Sequence, residues 1–383
     1  MQEALAASAR VGFPLLVRPS YVLGGRAMEI VYSTEGLADY LQRTGNGRER
    51  EIFLDRFLEN AIEVDVDALC DGEHVWIGGI MQHVEEAGIH SGDSACVLPP
   101  HSLGPEMLDE IREQTRGIAL GLGTVGLINI QYAVTLDGSL FVIEANPRAS
   151  RTVPFVSKAI GVPLAKMACR IMLGEKLDDL GLPSEAMPTD HVSVKEAVLP
   201  FDRFAGSDAI LGPEMRSTGE VMGIARDFPT AFAKAQAAAG ARLPQTGTVF
   251  ITVTDGDKPG AYAIAALLQD AGFRIVATAG TAQAIRGMGC RIDAVLQKVG
   301  DGSPNVVDRI EAGEIDLVIN TPTGSGARSD GWEIRRAAIA RGIPCITTLS
   351  GGHAAARAIS AARSGAPRVL SLQEIHRDRS TVR

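Results

Sequence analysis

Residues 141–154 read FVIEANPRASRTVP, an apolar run that carries a carboxylate directly into an amide and two guanidinium groups. If Phe141 to Arg148 is extended, side chains two apart share a face, so Glu144, Asn146 and Arg148 project together. The first two offer oxygen ligands to a hard cation, and the planar cation beside them suits phosphate oxygens. That set fits metal-nucleotide chemistry. It fits equally a half-buried strand whose polar face is merely solvated, so the elements around it must decide. LINIQYAVTL and SLFVIEAN read as strands joined by a turn at Asp137 and Gly138, which sets Gln131 near Glu144 and adds a third oxygen to the candidate metal set.

The other elements follow from their periodicity. VGFPLLVRPS reads as a short buried strand ended by Pro19, and MEIVYS as its partner across the glycine-bearing turn YVLGGRAM. EIFLDRFL and AIEVDVDALCDGEHVWIGGIMQHVE alternate with period two, predicting an antiparallel sheet. Helices are predicted over Pro105 to Leu122, near Val162 to Leu173 and over Phe228 to Ala239, the last two flanking the extended HVSVKEAVLPF. AAAGARLPQTG reads as a linker, placing a boundary near residue 245. Beyond it TVFITV, FRIVAT, IDLVIN and IPCITT alternate with helical stretches such as AYAIAALLQDAG and WEIRRAAIARG, the pattern of a parallel α/β sheet. HRDRSTVR is expected to be a frayed, solvated end.

The chain has 383 residues, 45% of them hydrophobic, which suits two or three domains rather than one. No apolar run reaches the roughly 18 to 20 residues of a membrane span, and MQEALAASAR lacks the plan of a signal peptide. A soluble, cytoplasmic protein is the expectation. Cys70, Cys96, Cys169, Cys290 and Cys345 are scattered without a C-x-x-C pair, which predicts reduced core thiols rather than disulfides or structural zinc. A formal net charge of −9 argues against a general nucleic-acid surface, so any polyanion site must be local.

RPSYVLGGRAMEIVY, the E-V-D-V-D strand, EEAGIHSGDSA, NIQYAV and IEANPRASRTVPFVSKAIGVPLAK together resemble the large subunit of carbamoyl phosphate synthetase. The likeness continues through SVKEAVLPF and LGPEMRSTGEVMG into a last part resembling the methylglyoxal-synthase-like domain that ends that subunit. The resemblance implies an α/β and α+β multidomain chain: a carbamate-phosphorylating ATP-grasp unit over 1–190, begun without its preceding elements, an extension and linker over 191–245, and a Rossmann-like parallel regulatory domain over 246–383. It implies ATP with Mg2+ or Mn2+ as cofactors, and carbamate as phosphoryl acceptor. The implied partners are the N-terminal half of the large subunit and a glutamine amidotransferase small subunit, in arginine and pyrimidine biosynthesis. Little independent activity is expected of the chain alone.

The resemblance also assigns residues. Arg18 is a nucleotide-phosphate contact, Arg56 and main-chain Leu58 lie at the adenine, and Glu63 accepts from the ribose. Gly88, Ile89, His90 and Ser91 form a loop touching the nucleotide. Gln131, Glu144 and Asn146 hold the metal, with Gln131 and Glu144 also meeting the nucleotide, while Arg148 and Arg151 face the transferring phosphoryl group. Plainer roles compete with several of these. Arg18 could cap a strand with a surface ion pair, His90 could act through its backbone and receives no acid-base role, and Glu63, Asp65 and Asp67 read as a solvated strand face. Only Glu63 of those three matches a family position.

In the terminal part, TAGTA (278–282) and NTPTGSG (320–326) follow strands, where hydroxyls, glycine amides and helix N-termini can bind phosphate. With Lys258 and Lys298 they resemble the family's nucleotide effector site, so Thr278, Thr281, Asn320 and Thr323 join Lys258 and Lys298 as allosteric residues for an effector such as UMP. Pro322 departs from the hydroxyl residue that relatives can carry. Glu85, Asp93, Glu196 and Thr347 match an ornithine activator site, but Cys345 stands where ornithine-responsive members have tyrosine, which makes that response doubtful. Two further readings stay open: another ATP-grasp carboxylate-amine ligase, and a non-catalytic nucleotide-sensing fragment.

Overall fold

The computed structural model describes residues 2–20, 27–44, 51–184, 190–201, 208–300, 302–321, 331–363, 365 and 368–377. The chain opens with α1 (Gln2–Val11), β1 (Leu15–Pro19), β2 (Glu29–Val31), α2 (Thr34–Thr44) and β3 (Ile52–Arg56). β1 pairs antiparallel with both β2 and β3, giving a small sheet ordered β2-β1-β3. Leu15, Val17, Val31, Leu37 and Tyr40 close its core. EIFLDRFL therefore joins this sheet and not the one that follows, because its partners lie on β1. The two helices carry no counterpart in the sequence reading.

The central sheet has seven strands in the order β10-β9-β6-β5-β4-β7-β8. They are β4 (Ile62–Asp71), β5 (Val75–Glu86), β6 (Cys96–Leu98), β7 (Val125–Val134), β8 (Leu140–Asn146), β9 (Val192–Val198) and β10 (Gly219–Ala225). Between them run α3 (Pro105–Gly121), α4 (Val153–Ile160), α5 (Leu164–Met172) and, after β10, α6 (Phe228–Ala238). Pro105 opens α3 where its missing N–H is no loss, and Asp227 caps α6 by accepting from the Thr230 N–H at 2.9 Å. The alternation along β4 sends Val64, Val66 and Ala68 into a core with Ile111 of α3 and Ile128 and Ile130 of β7. Glu63, Asp65 and Asp67 take the opposite face. Further along β4, Leu69 joins Val156, Leu164 and Ile171 of α4 and α5. The helix expected near Val162 to Leu173 is α5; α4 before it was not read from the sequence, and Gly161, at φ 75°, ends it.

The last part holds a parallel sheet ordered β13-β12-β11-β14-β15. Its elements are β11 (Thr248–Thr252), α7 (Lys258–Asp270), β12 (Arg274–Thr278), α8 (Ala279–Gly287), β13 (Ala294–Leu296), α9 (Val306–Glu311), β14 (Leu317–Asn320), α10 (Trp332–Ala340), β15 (Cys345–Ile346), α11 (Leu349–Ala362) and α12 (Leu372–Arg377). The short β13 escaped the periodicity. α6 and α11 pack together against Val84 of β5 and Val194 of β9, so the parallel unit sits on the back of the central sheet. α12 also departs from the expected solvated end, since the His376 ring makes a 2.7 Å hydrogen bond to the Lys158 carbonyl. Residues 378–383 lie outside the described part. The cysteines are unpaired; Cys169 is exposed, so the expectation of core thiols fails for it.

Candidate functional site

Glu63, Asp65 and Asp67 were expected on a solvated face, yet they are 4%, 1% and 0% exposed. The reason is that this face of β4 lies under two loops that supply donors. Asp67 accepts from Ser150 Oγ at 2.7 Å, Thr152 Oγ1 at 2.6 Å and Asn129 Nδ2 at 3.0 Å. It therefore pins the loop that carries Arg148 and Arg151. Burial still raises its carboxyl to about 6, against those three hydrogen bonds. Asp65 pairs with His83 Nε2 at 2.9 Å and accepts from Asn129 Nδ2 at 3.2 Å. Burial pushes the Asp65 carboxyl up, but bonds from His83, Asn129 and Gln131 outweigh it and hold the carboxyl low. Burial lowers the His83 imidazole, while Cys96, Glu63 and Asp65 raise it further than burial depresses it.

Glu63 is raised to about 7, chiefly by burial, with His83 opposing, Asp65 and Glu144 adding, and the Gly88 N–H opposing as a hydrogen-bond donor. Glu63, Gly88 and Glu144 are thus neighbours. Gly88 sits at φ +103°, and a Cβ there would lie 2.6 Å from the Phe57 ring, so only glycine serves. The loop it begins is held from below: His90 N–H donates to the Gly212 carbonyl at 2.8 Å, and Lys195 Nζ donates to the Ser91 carbonyl at 3.0 Å. Ile89, His90 and Ser91 are half-buried. His90 is lowered first by burial and also by Arg151, with Asp93 and Glu144 opposing, which places Arg151 and Glu144 around its ring.

Gln131 lies directly opposite Glu144 in the β7–β8 ladder, and Asn129 opposite Asn146. Asn146 Nδ2 donates to Glu144 Oε1 at 2.7 Å. The three expected metal residues thus share one patch at the sheet edge, with the Glu144 carboxylate exposed. β8 ends at Asn146, so Arg148 is not in the strand as expected. The chain turns there, Arg148 N–H donating to the Asn146 carbonyl at 2.7 Å, and the Arg148 guanidinium still reaches Asn146 Oδ1 at 3.4 Å. An exposed carboxylate, two amide oxygens and two guanidiniums form a donor set that fits a hard cation and a polyphosphate.

Arg18 makes a 3.3 Å ion pair with Asp55 and lies 4.9 Å from the centre of the Phe53 ring, a half-exposed arrangement. Arg56 ends β3 and is exposed, and Leu58 follows half-buried. Among the described residues, no ion pair joins Arg18 or Arg56 to the carboxylates of β4.

In the parallel unit, Thr278 ends β12 just before α8 and Thr281 lies in the first turn of α8, their hydroxyls 3.4 Å apart. Thr281 Oγ1 accepts from the Val253 N–H at 3.2 Å. Lys258 pairs with the exposed Asp255 at 2.5 Å and comes within 3.2 Å of where a Cβ on Gly280 would lie. Lys298 is exposed and lowers the same Asp255. Asn320 is engaged elsewhere, accepting from buried Arg335 at 2.6 Å. Thr323 and Pro322 lie outside the described residues. Glu85, Asp93, Glu196, Cys345 and Thr347 line one cavity of about 420 Å³ between the two units.

Sequence reasoning passed over Asp65, Asp67, His83, Asn129, Ser150, Thr152 and Lys195. A signal existed for β4: polar residues alternating in a strand whose other neighbours are uniformly apolar mark a buried polar row once the strand is central. Lys195 has no such signal, since its neighbours SVKEAV read as an ordinary half-buried strand.

Residues 1–180 match the family described as "Carbamoyl-phosphate synthase L chain, ATP binding domain", and residues 260–347 match the "MGS-like domain". The chain is 55% identical over 378 residues to the carbamoyl phosphate synthase large chain of Methanothermobacter thermautotrophicus, covering 98% of this chain and 35% of that protein. The large chain of Archaeoglobus fulgidus is 55% identical over 380 residues, covering 99% of this chain and 35% of that protein. The chain therefore spans 35% of the length of these relatives. Among solved structures, the biotin carboxylase domain of Hydrogenobacter thermophilus 2-oxoglutarate carboxylase, in complex with MgADP and bicarbonate, shares the fold. Its TM-score is 0.50 at 18% identity, over 62% of this chain and 58% of that one.

Proposed function

We propose, for a chain that belongs to the carbamoyl phosphate synthase large-chain family and matches its C-terminal part, that its central sheet transfers the γ-phosphoryl group of ATP to a carbamate oxygen, giving carbamoyl phosphate and ADP. The observation that carries this reading is the meeting, at one sheet edge, of Glu144 and Asn146 with Gln131 opposite and the Asp67-pinned arginine loop alongside. Gln131, Glu144 and Asn146 would hold Mg2+ or Mn2+. When bound, the metal neutralises phosphate charge and orients the triphosphate.

The chain's own residues supply the rest. Arg148 and Arg151 offer fixed cations to oxygens that gain charge during transfer, and Asp67 holds their loop ready before substrate arrives. The buried lysine Lys195 holds the loop of residues 88–91 from behind, leaving Gly88 to Ser91 free to meet the nucleotide. Neutral His90 adds no positive charge there. In this reading residues 1–190 and 191–245 form the catalytic unit and its extension, and 246–383 a regulatory unit. Lys258, Thr278, Thr281 and Lys298 would receive the phosphate of a nucleotide effector such as UMP, with Asn320 and Thr323 completing that site. Ammonia from a glutamine-hydrolysing small subunit, and carbamate made with the N-terminal half of the large subunit, would feed the site in the cytoplasm.

The reverse reaction tests this without the missing steps. ATP formation by the full chain from ADP and carbamoyl phosphate should be slow, divalent-metal dependent and lost in Arg148→Ala. MgADP binding with no phosphoryl exchange would favour a nucleotide-sensing role instead.

A further inference from the structure

Alternation along β5 turns His83 toward the β4 carboxylates and Val84 toward the opposite side of the sheet, where the parallel unit packs. On that reverse face lies a cleft of about 380 Å³, open to solvent on one side, between β5, α6, α7 and α11. Its walls are largely apolar, with Val84, Phe228, Ala263, Leu349 and Ala354 among them. Gly260 of α7 shapes it: a Cβ there would lie 2.3 Å from Leu349 Cδ2, so a larger residue would make the Leu349 side chain move. None of the residues assigned to phosphoryl transfer lines this space.

Its mouth carries one fixed cation, Arg357, beside two imidazoles. His353 and Arg357 lie one turn apart on α11, both exposed and both at the cavity. His101 stacks on Phe228 with ring centres 4.3 Å apart, and the Arg357 guanidinium stands 5.8 Å from the same ring. Among the described residues Arg357 has no carboxylate within ion-pair distance. These groups press on one another: burial, then Arg357 and His353, drive the His101 imidazole down to about 4, and burial, then Arg357, lowers His353. Glu86 also lines the cavity, but burial, with Asp257 and Glu85, raises its carboxyl toward the neutral form. The mouth thus sets one fixed cation, Arg357, beside two imidazoles held toward their neutral, hydrogen-bonding form above an apolar, aromatic-floored space, an arrangement that can orient an amphipathic ligand.

We propose that this cavity binds a small carboxylate with a flat apolar body, its carboxylate between His353 and Arg357 and its body against Phe228 and Leu349. The site is separate from the phosphoryl-transfer site and from the nucleotide-effector residues, shares Glu85 with the cavity of about 420 Å³, and stands whether or not the proposed reaction does.

Benzoate is the probe, with benzamidine as a cation of the same body and inorganic phosphate as an anion without one. Calorimetry and the imidazole proton resonances of His101 and His353 in the full chain report binding. Benzoate should saturate and move both histidine titrations upward, because a bound anion offsets the push of Arg357. Benzamidine should not bind. Arg357→Gln should weaken benzoate at least tenfold, and Ala263→Leu, which fills the cavity but leaves the charges, should do the same. MgADP affinity should be unchanged in both variants, which keeps this result apart from the phosphoryl-transfer reading. Absence of saturable binding, equal binding of phosphate, or benzoate affinity unaffected by Ala263→Leu would overturn the proposal.

Discussion

β4 and β14 both run between two neighbours in the middle of their sheets, and both are buried, yet they bury different chemistry. β14 is Leu317, Val318, Ile319 and then Asn320, so its only polar side chain stands at the carboxyl end. β4 instead buries carboxylates at three alternating positions along one face. A parallel sheet covered by helices on both faces has no room for a polar row and places ligand residues at the strand ends. The antiparallel sheet can devote one face to a core and the other to a site. The cost of that choice is desolvation, which is offset only while every carboxylate keeps its donors.

Removing one such acceptor should expose the difference most strongly. Asp67→Ala leaves Asn129, Ser150 and Thr152 without their shared partner in a dry setting, and denaturant unfolding should show a loss of about 4 kcal/mol. Asn320→Ala in β14 should lose about 1 kcal/mol, since Arg335 keeps both carboxylate oxygens of Asp208 at 2.6 and 2.8 Å. Equal losses at the two positions would erase the distinction between face and strand end.

A smaller effect lies in pH. The Glu63 carboxyl rises from an ordinary 4.5 to about 7 in the fold. Between those values the folded chain holds a proton that the unfolded chain has released. Its contribution to stability is therefore fully present below about 4.5 and is lost as pH rises through 7. In Glu63→Gln that decline, at most about 3 kcal/mol, should vanish from the stability curve measured without nucleotide. Parallel curves for variant and parent would show that the carboxylate is not desolvated as described.

The least effect is expected at the exposed edge. Arg18→Ala breaks a half-exposed ion pair and should alter stability by less than about 1 kcal/mol, while weakening MgATP binding measurably. A large loss of stability with unchanged nucleotide affinity would make Arg18 the strand cap that its sequence context also allows.

How much of this was written in the sequence differs by region. The β7–β8 hairpin was legible because Asp137 and Gly138 announce the turn and fix the register that sets Gln131 against Glu144. The parallel unit was legible from its short apolar runs, apart from β13, whose three residues are too few for periodicity. Arg148 was misplaced because an early strand end does not show in an alternating pattern. The burial of Asp65 and Asp67 was missed for a deeper reason. Alternation says which residues share a face but not what covers it, and here the cover comes from Ser150 and Thr152, 83 and 85 residues away in the chain. Arg335, buried with Asp208 127 residues distant, hid in the helical run WEIRRAAIARG for the same reason.

The central claim is that Gln131, Glu144 and Asn146 hold a divalent ion against a nucleotide. Electron paramagnetic resonance of Mn2+ with ATP and the full chain addresses it directly, because Glu144 is exposed and Glu144→Ala should leave the fold intact. The account predicts that Mn2+ bound in the presence of ATP loses at least tenfold in affinity in that variant while unfolding is unchanged. Unaltered Mn2+ affinity would contradict it and move the metal, and the chemistry with it, away from this edge of the sheet.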